Sequence, residues 1–198
     1  ILAAGRGSRM GLLTNNLPKC RTLLFGKELI AWQLDALREG GIKEIAIIRG
    51  YLSKTFDFEL KYFQNERWSN TNMVRTLISA NQWLESSTNI ISYSDIVYTS
   101  NSISTLMKGK GDIVITYDPN WYKLWSLRFN DPLSDAETFK IQDGIITEIG
   151  NKAKSLDEIE GQFMGLIKIT SNGWKKINEY LGRHSKKTVD QMDMTMLL

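Results

Sequence analysis

The sequence has one cysteine, Cys20, and one histidine, His184. A lone thiol cannot close an internal disulfide, which excludes the stapled scaffold of small secreted domains and fits a reducing cytoplasm. No signal-peptide pattern and no apolar run of membrane-spanning length is present, so no membrane partner is expected. A basic block is missing too: 25 Lys and Arg face 22 Asp and Glu, and no stretch could track a nucleic-acid backbone. His184 lies in the polar run Arg183-His184-Ser185-Lys186-Lys187, and no Ser/His/Asp or Cys/His arrangement for nucleophilic catalysis can be assembled around it. Internal repeats and low-complexity segments are absent.

What is there is ordinary globular usage, 42% hydrophobic and 24% charged over 198 residues, the size of a single domain. The chain opens on Ile1-Leu2-Ala3-Ala4 without an initiator methionine, and this reads as the end of a buried strand. It closes inside the apolar stretch Met192 to Leu198. A fragment, truncated at its C-terminal end, is the expectation. Between these ends β-branched runs alternate with helical patterns. Ile42 to Ile48, Ile90 to Tyr93 and Asp112 to Thr116 predict strands, and Met73 to Leu84 predicts one helix capped by Asn70 or Thr71. Ile30, Leu34 and Leu37 predict another, stopped by Gly40-Gly41. Such alternation implies βαβ units and a mostly parallel sheet. Later, Thr138 to Ile141, a Gln142-Asp143-Gly144 turn and Ile145 to Ile149 predict a hairpin, followed by a strand over Phe163 to Ile169 and a helix over Asn172 to Leu181. A nucleotide-binding half over about 1–118 and a substrate-binding half over about 119–198 is the natural division of the single domain.

The most informative stretch is Leu2-Ala3-Ala4-Gly5-Arg6-Gly7-Ser8-Arg9-Met10, followed by Leu17-Pro18-Lys19. Glycines after a buried strand let the backbone turn sharply and bring its N–H groups close to phosphate oxygens. Arg9 can grip phosphate in a bidentate fork and Lys19 adds a mobile point charge. Two better-known phosphate loops do not fit. The dinucleotide fingerprint needs a third glycine where Met10 stands, and the P-loop needs Gly-Lys-Ser/Thr, which does not occur.

The string Leu-Ala-Ala-Gly-x-Gly-x-Arg-Met with a downstream Pro-Lys resembles the opening motif of the sugar-phosphate and cholinephosphate nucleotidyltransferase family. The likeness continues through Gly50-Tyr51, Thr71-Asn72-Met73, Tyr93-Ser94-Asp95-Ile96 and Glu160-Gly161-Gln162. It is most similar to the small bacterial cytidylyltransferases, of phosphocholine or phosphoglutamine type. The latter is suggested by Trp121 to Trp125, Arg128-Phe129 and Asp135-Ala136-Glu137-Thr138.

The resemblance implies a Rossmann-like α/β nucleotidyltransferase fold, a mostly parallel sheet flanked by helices with the hairpin in the substrate region. It also implies a reaction in which a substrate phosphate attacks the α-phosphorus of a nucleoside triphosphate, CTP above others, and releases pyrophosphate. The turn Leu2-Ala3-Ala4, Gly5, Gly7, Ser8 and Arg9 would hold the nucleotide, with Lys19 neutralising the α-phosphate. Asp95 follows a strand at the carboxyl edge of the sheet, where open α/β folds place ligands, and a carboxylate there can hold Mg²⁺; its alternative job is to cap the next helix. The family places a second metal-binding aspartate in a strand beyond the residues present, with Asp190 and Asp193 as candidates here. Ala3, Gly50 and Asn72 match the base-recognition positions, although Asn72 is equally suited to capping its helix.

For a small phosphorylated acceptor the candidates are Trp121, Trp125, Arg128, Glu160 and Gln162. Two tryptophans could cage a choline-like ammonium or form one packed helical face. Lys123, Arg128 and Gln162 could take the α-carboxylate of phosphoglutamine. A homodimer is left open. The competing readings are a sugar-1-phosphate nucleotidyltransferase, disfavoured by Asn70-Thr71-Asn72-Met73 where a Gly-Thr-Ala pattern is usual, and a non-catalytic binding domain, which has no chemical need for the glycine loop, Arg9, Lys19 and Asp95 together.

Overall fold

The computed structural model describes residues 1–198. Along the first part of the chain run β1 (Leu2–Ala3), the small hairpin β2 (Leu23–Leu24) and β3 (Lys27–Glu28), α1 (Leu29–Glu39), β4 (Ala46–Arg49), β5 (Lys61–Gln64), α2 (Met73–Ile78), α3 (Asn81–Ser86) and β6 (Asn89–Ser92). The remainder comprises α4 (Ser100–Lys108), β7 (Ile113–Asp118), α5 (Trp121–Arg128), the hairpin β8 (Glu137–Gln142) and β9 (Ile145–Lys152), β10 (Gln162–Ile169), α6 (Ser171–Leu181), α7 (Lys186–Gln191) and α8 (Met194–Leu197).

Parallel pairing of β1 with β4 and of β4 with β5 builds one side of the sheet. A parallel bridge from Leu2 to Tyr93 connects it to β6. β10 then runs antiparallel between β6 and β7. The spatial order is therefore β5-β4-β1-β6-β10-β7, an α/β sheet with one antiparallel strand contributed by the later part of the chain. Because side chains alternate along a strand, neighbouring residues feed opposite faces. Leu2, Ile48, Ile91 and Ile167 pack with α2, α3, α6, α7 and α8, whereas Ala3, Ile47 and Leu166 pack with α1 and α4. Trp174, with no exposed surface, anchors α6 to the first face, and burying a side chain of that kind stabilises by about 2–3 kcal/mol. No helix is long and apolar enough to cross a membrane.

Two elements depart from their sequence patterns. The strand expected from Ile42 starts only at Ala46, because Ile42 is committed to the end of α1. Gly41, at φ 87°, takes the left-handed turn, and the N–H groups of Gly41 and Ile42 close on the carbonyls of Arg38 and Leu37, a Schellman stop. The single helix expected over Met73 to Leu84 breaks at Ser79-Ala80. Asn81 is drawn to α6, its carboxamide oxygen accepting from Trp174 Nε1 at 2.9 Å and Asn178 Nδ2 at 3.0 Å, so tertiary contacts override the run of helical residues. The cap of α2 is Asn72, one of the two roles its sequence position allowed, and not Asn70 or Thr71. The hairpin β8–β9 forms as its pattern requires, tightened to Asp143 (φ 53°) and Gly144 (φ 75°), the paired positive φ values of a type I′ turn.

Candidate functional site

β1 ends at the carboxyl edge of the sheet, and the chain turns there through Ala4-Gly5-Arg6-Gly7. Ala4 is fixed by the neighbouring strand end: its carbonyl accepts the Tyr51 N–H at 2.8 Å. The approach is close enough that a Cβ on Gly50 would lie 2.8 Å from the Ala4 oxygen and 2.6 Å from Trp68 Cβ. Gly50 is therefore demanded by the protein's own packing. Gly7 is demanded twice, by its φ of 69° and by the stem of Lys19, whose Cδ would stand 2.9 Å from an added Cβ. Gly5 is different. It has no positive φ, and a Cβ there would meet no protein atom within 4 Å; the space above it is open.

The far side of the loop is tied down. Thr14 Oγ1 donates to the Gly7 carbonyl at 3.3 Å, and the Tyr51 hydroxyl reaches the Thr14 and Asn15 carbonyls at 2.8 and 2.6 Å. Arg6 is engaged with Asn15 Oδ1 at 2.8 Å and lies over the Tyr51 ring. Ser8 and Arg9 are exposed at the start of the 3-10 stretch Ser8–Thr14.

Lys19 leaves a short 3-10 turn, lies across Gly7 and forms an ion pair with Asp95. Residues 12 places and 76 places from the lysine thus meet at one spot. Asp95 sits three residues past β6, and it is not the cap of the following helix, since Thr99 occupies that position before α4. Cys20, beside Lys19, is buried, and burial pushes its thiol up to about 12, leaving it inert as a nucleophile.

Tyr93 borders the same edge. Its phenol is pushed well up by burial first, then by the carboxylates of Asp193, Glu137 and Asp95. Asp193 caps α8 through the Met196 N–H at 2.9 Å. Asp190 is directed elsewhere, in a bidentate pair with Arg67 at 2.8 and 2.6 Å. No group of three or more His, Cys, Asp or Glu side chains that could cage a metal occurs. Asp95 is a carboxylate that Mg²⁺ could use, since that ion takes one or two carboxylates and fills its octahedron with phosphate oxygens and water.

The remaining expected residues are placed less simply. The Asn72 carboxamide is engaged at both ends, accepting from the Met73 N–H at 2.8 Å and donating to the Gln191 carbonyl at 3.3 Å. Trp121 and Trp125 do not line an open acceptor site. They are 4% and 8% exposed and pack with Ala136, Ala153 and Ile159 between α5 and the hairpin, because helical positions four apart share one face. Gln162 is likewise spent: its amide pairs with the Glu137 N–H and carbonyl, at 3.2 and 2.6 Å, and ties β10 to β8. Glu160 accepts the Ile141 N–H at 2.7 Å and pairs with Lys140. Arg128 is exposed, lying over the Trp125 and Phe129 rings. Glu137 also lies in this part of the fold. It is half-buried, and its carboxyl is raised by burial and then by Asp193; its only sequence signal is the Asp-Ala-Glu-Thr run. A cavity of about 280 Å³ lined by Ile1, Ala46, Ile90 and Trp83 lies at the opposite, amino edge of the strands and has no part in this cluster.

Comparison with known proteins identifies the family of this fold. Residues 1–141 match the model of the MobA-like NTP transferase domain. The whole chain aligns at 39% identity with CTP:phosphoglutamine cytidylyltransferase of Campylobacter jejuni, covering 85% of that protein. A choline-phosphate cytidylyltransferase of Streptococcus pneumoniae is 47% identical over 29% of this chain and 25% of its own length. Among solved structures, the inositol-1-phosphate CTP transferase of T. maritima superposes with a TM-score of 0.74 at 16% identity, covering 99% of this chain and 77% of that one. The CTP:phosphocholine cytidylyltransferase of S. pneumoniae does so at 0.63 and 21%, covering 92% and 74%.

Proposed function

The chain belongs to the family of MobA-like NTP transferase domains, and on that premise we propose that it transfers CMP from CTP to a small phosphomonoester and releases pyrophosphate. The observation that carries this reading is the meeting of Gly5, Gly7, Lys19 and Asp95 at the carboxyl edge of the sheet, with Gly5 open on the side away from the protein. A glycine that neither backbone strain nor internal packing requires is accounted for by a ligand approaching the main chain.

In the reaction an oxygen of the acceptor phosphate forms a bond to the α-phosphorus as the bond to the β-bridging oxygen breaks in line, and pyrophosphate carries away the electron pair. The acceptor attacks already deprotonated, so no protein base or nucleophile is needed. The barrier lies in bringing anions together and aligning them. The loop N–H groups and Arg9 hold the β- and γ-phosphates, and Lys19 moves from Asp95 to the α-phosphate as charge gathers there. Asp95 would hold Mg²⁺, and the ion when bound supplies charge neutralisation to the phosphates; of the two further aspartates Asp190 is taken by Arg67, which leaves Asp193 as the second candidate. Since the Asn72 amide serves α2, we assign cytosine recognition to the backbone of Ala3 and Gly50, with Asn72 contributing through the placement of that helix start.

Phosphoglutamine heads the acceptors, supported by 39% identity to a phosphoglutamine enzyme across the whole chain against a short match to a choline-phosphate enzyme. The test is a pyrophosphate-release screen of CTP, UTP, GTP and dTTP against phosphoglutamine, phosphocholine, phosphoethanolamine, aminoethylphosphonate and sugar phosphates. Turnover confined to CTP with phosphoglutamine is the expected pattern. A preference for a sugar 1-phosphate with UTP or dTTP, or no release with any pair, would overturn the reading.

A further inference from the structure

Gln33 stands on the apolar stripe of α1, among Ile30, Leu34 and Leu37, and has no exposed surface. A leucine or methionine would fill that place without polar groups to satisfy, whereas a buried carboxamide destabilises unless each of its hydrogen bonds is made. Here they are made, and all with one short segment. Nε2 donates to the Tyr93 carbonyl at 3.0 Å and to the Ile96 carbonyl at 2.6 Å, and Oε1 lies 3.3 Å from Ser92 Oγ, whose one proton is shared with the Tyr93 carbonyl at 2.9 Å. The two carbonyls lie two residues before and one residue after Asp95, so the amide brackets it. Between the end of β6 and the start of α4 the segment is held as well by the parallel bridge from Leu2 to Tyr93, by the Tyr93 N–H donating to the Gly165 carbonyl, by Ile96 and Tyr98 packing on the α1 face, and by the Asp95 side chain meeting Lys19. Among all these contacts, only the carboxamide of Gln33 reaches both sides of Asp95, and only the ion pair acts on Asp95 itself.

The same helix also supports the lysine. Cys20, next to Lys19, is buried in the cluster with Ile30 and Leu34, and the Leu29 N–H at the head of α1 donates to the Thr22 carbonyl at 3.0 Å. One rigid element therefore sets the heights of both charged groups, through apolar packing for Lys19 and through Gln33 for Asp95.

We propose that Gln33 is a positioning residue for the transfer reaction: its carboxamide, reaching from α1 to the carbonyls of Tyr93 and Ile96, holds Asp95 where a divalent ion and the phosphates meet it. This rests on the reading of Asp95 as the ion's ligand. Side chains that orient a ligand from behind typically change affinity or rate by about 10- to 100-fold when removed. Mn²⁺ serves as the probe, titrated by electron paramagnetic resonance into the protein with CTP and no acceptor, alongside CTP binding in EDTA and kcat with Mg²⁺.

In Gln33→Leu, Mn²⁺ affinity and kcat are expected to fall by about tenfold or more, while CTP binding in EDTA stays within about twofold, since the glycine loop is untouched. Gln33→Glu, kept protonated by its buried site, retains one donor and should fall between Gln33→Leu and the wild type. Should Gln33→Leu not fold, Gln33→Glu decides by the same titrations. Wild-type Mn²⁺ affinity in the folded variants overturns the proposal, as does an equal loss of Mn²⁺ and metal-free CTP binding, which marks a merely structural role. Asp95→Asn separates the two levels. If it binds Mn²⁺ as the wild type does, the reading of Asp95 fails; if it loses the ion while the Gln33 variants keep it, only the role of Gln33 fails.

Discussion

The glycine-loop edge and the α5–hairpin region use chemically capable side chains in opposite ways. At the loop, Lys19 and Asp95 are paired only with each other, Arg9 is exposed, and Gly5 has open space above it. Around α5, the aromatic and amide groups best suited to hold a ligand are consumed by the fold: Trp121 and Trp125 pack inward and Gln162 joins two strands. A residue type capable of binding is thus evidence for a site only where the protein has not already used it.

The largest effect that tests this contrast is on stability. Trp121→Ala should cost about 3–5 kcal/mol in chemical denaturation, as expected for emptying a buried aromatic site, with KM for the acceptor little changed in whatever protein remains folded. A raised KM with an unchanged denaturation midpoint would return the tryptophan to the acceptor site. On the other side, Lys19→Ala and Asp95→Ala should each lower kcat by about 100-fold or more while the melting temperature stays near that of the parent. Unchanged rates in both variants would remove their assigned roles.

Two glycines at this edge, one packed and one open, sharpen the comparison within one region. Gly50→Ala should destabilise by about 1–3 kcal/mol, since its Cβ has no room. Gly5→Ala should leave the melting temperature alone and raise KM for CTP by about tenfold, the methyl group meeting phosphate rather than protein. Equal melting behaviour of the two variants would erase the distinction drawn between them. A smaller effect follows from the ion pair. With its cationic partner gone, Asp95 in Lys19→Met should bind Mn²⁺ about fivefold more tightly in the absence of nucleotide, the size of one close charge contact in water, although turnover is lost.

The smallest effect lies far from either region. Asp112 is held down to about 2 from an ordinary 3.8 by its hydrogen bond to Lys176 first and then by Thr170 and Asn172. A carboxyl depressed in the folded state stabilises above its ordinary value, and that stability disappears as pH falls through about 2. Asp112→Asn should therefore melt lower than the parent near neutrality, with the gap closing in acid. A gap that persists unchanged at low pH would assign the contribution to hydrogen bonding alone.

Much of this was legible in the chain. The glycine string, the lysine after proline and the aspartate after a β-branched run announced the residues that meet at the carboxyl edge of the sheet, because each depends on a few adjacent residues and on sheet polarity. The Gly40-Gly41 stop and the Asp143-Gly144 turn were readable for the same reason. What escaped depended on partners remote in sequence. Nothing near Gln33 marks it as the bracket of Asp95, nothing near Asn81 foretells its pull toward Trp174, and nothing near Gln162 says that its amide is taken by Glu137.

The amino-acid sequence by itself determined the alternation of strands and helices, the family, and the chemical character of the loop, since backbone conformation and side-chain charge are properties of short segments. Only the tertiary structure decided which polar groups were left for a ligand. A hydrogen bond made across the fold uses up a donor or acceptor as fully as a substrate would, and the choice between them is settled by which elements pack against each other.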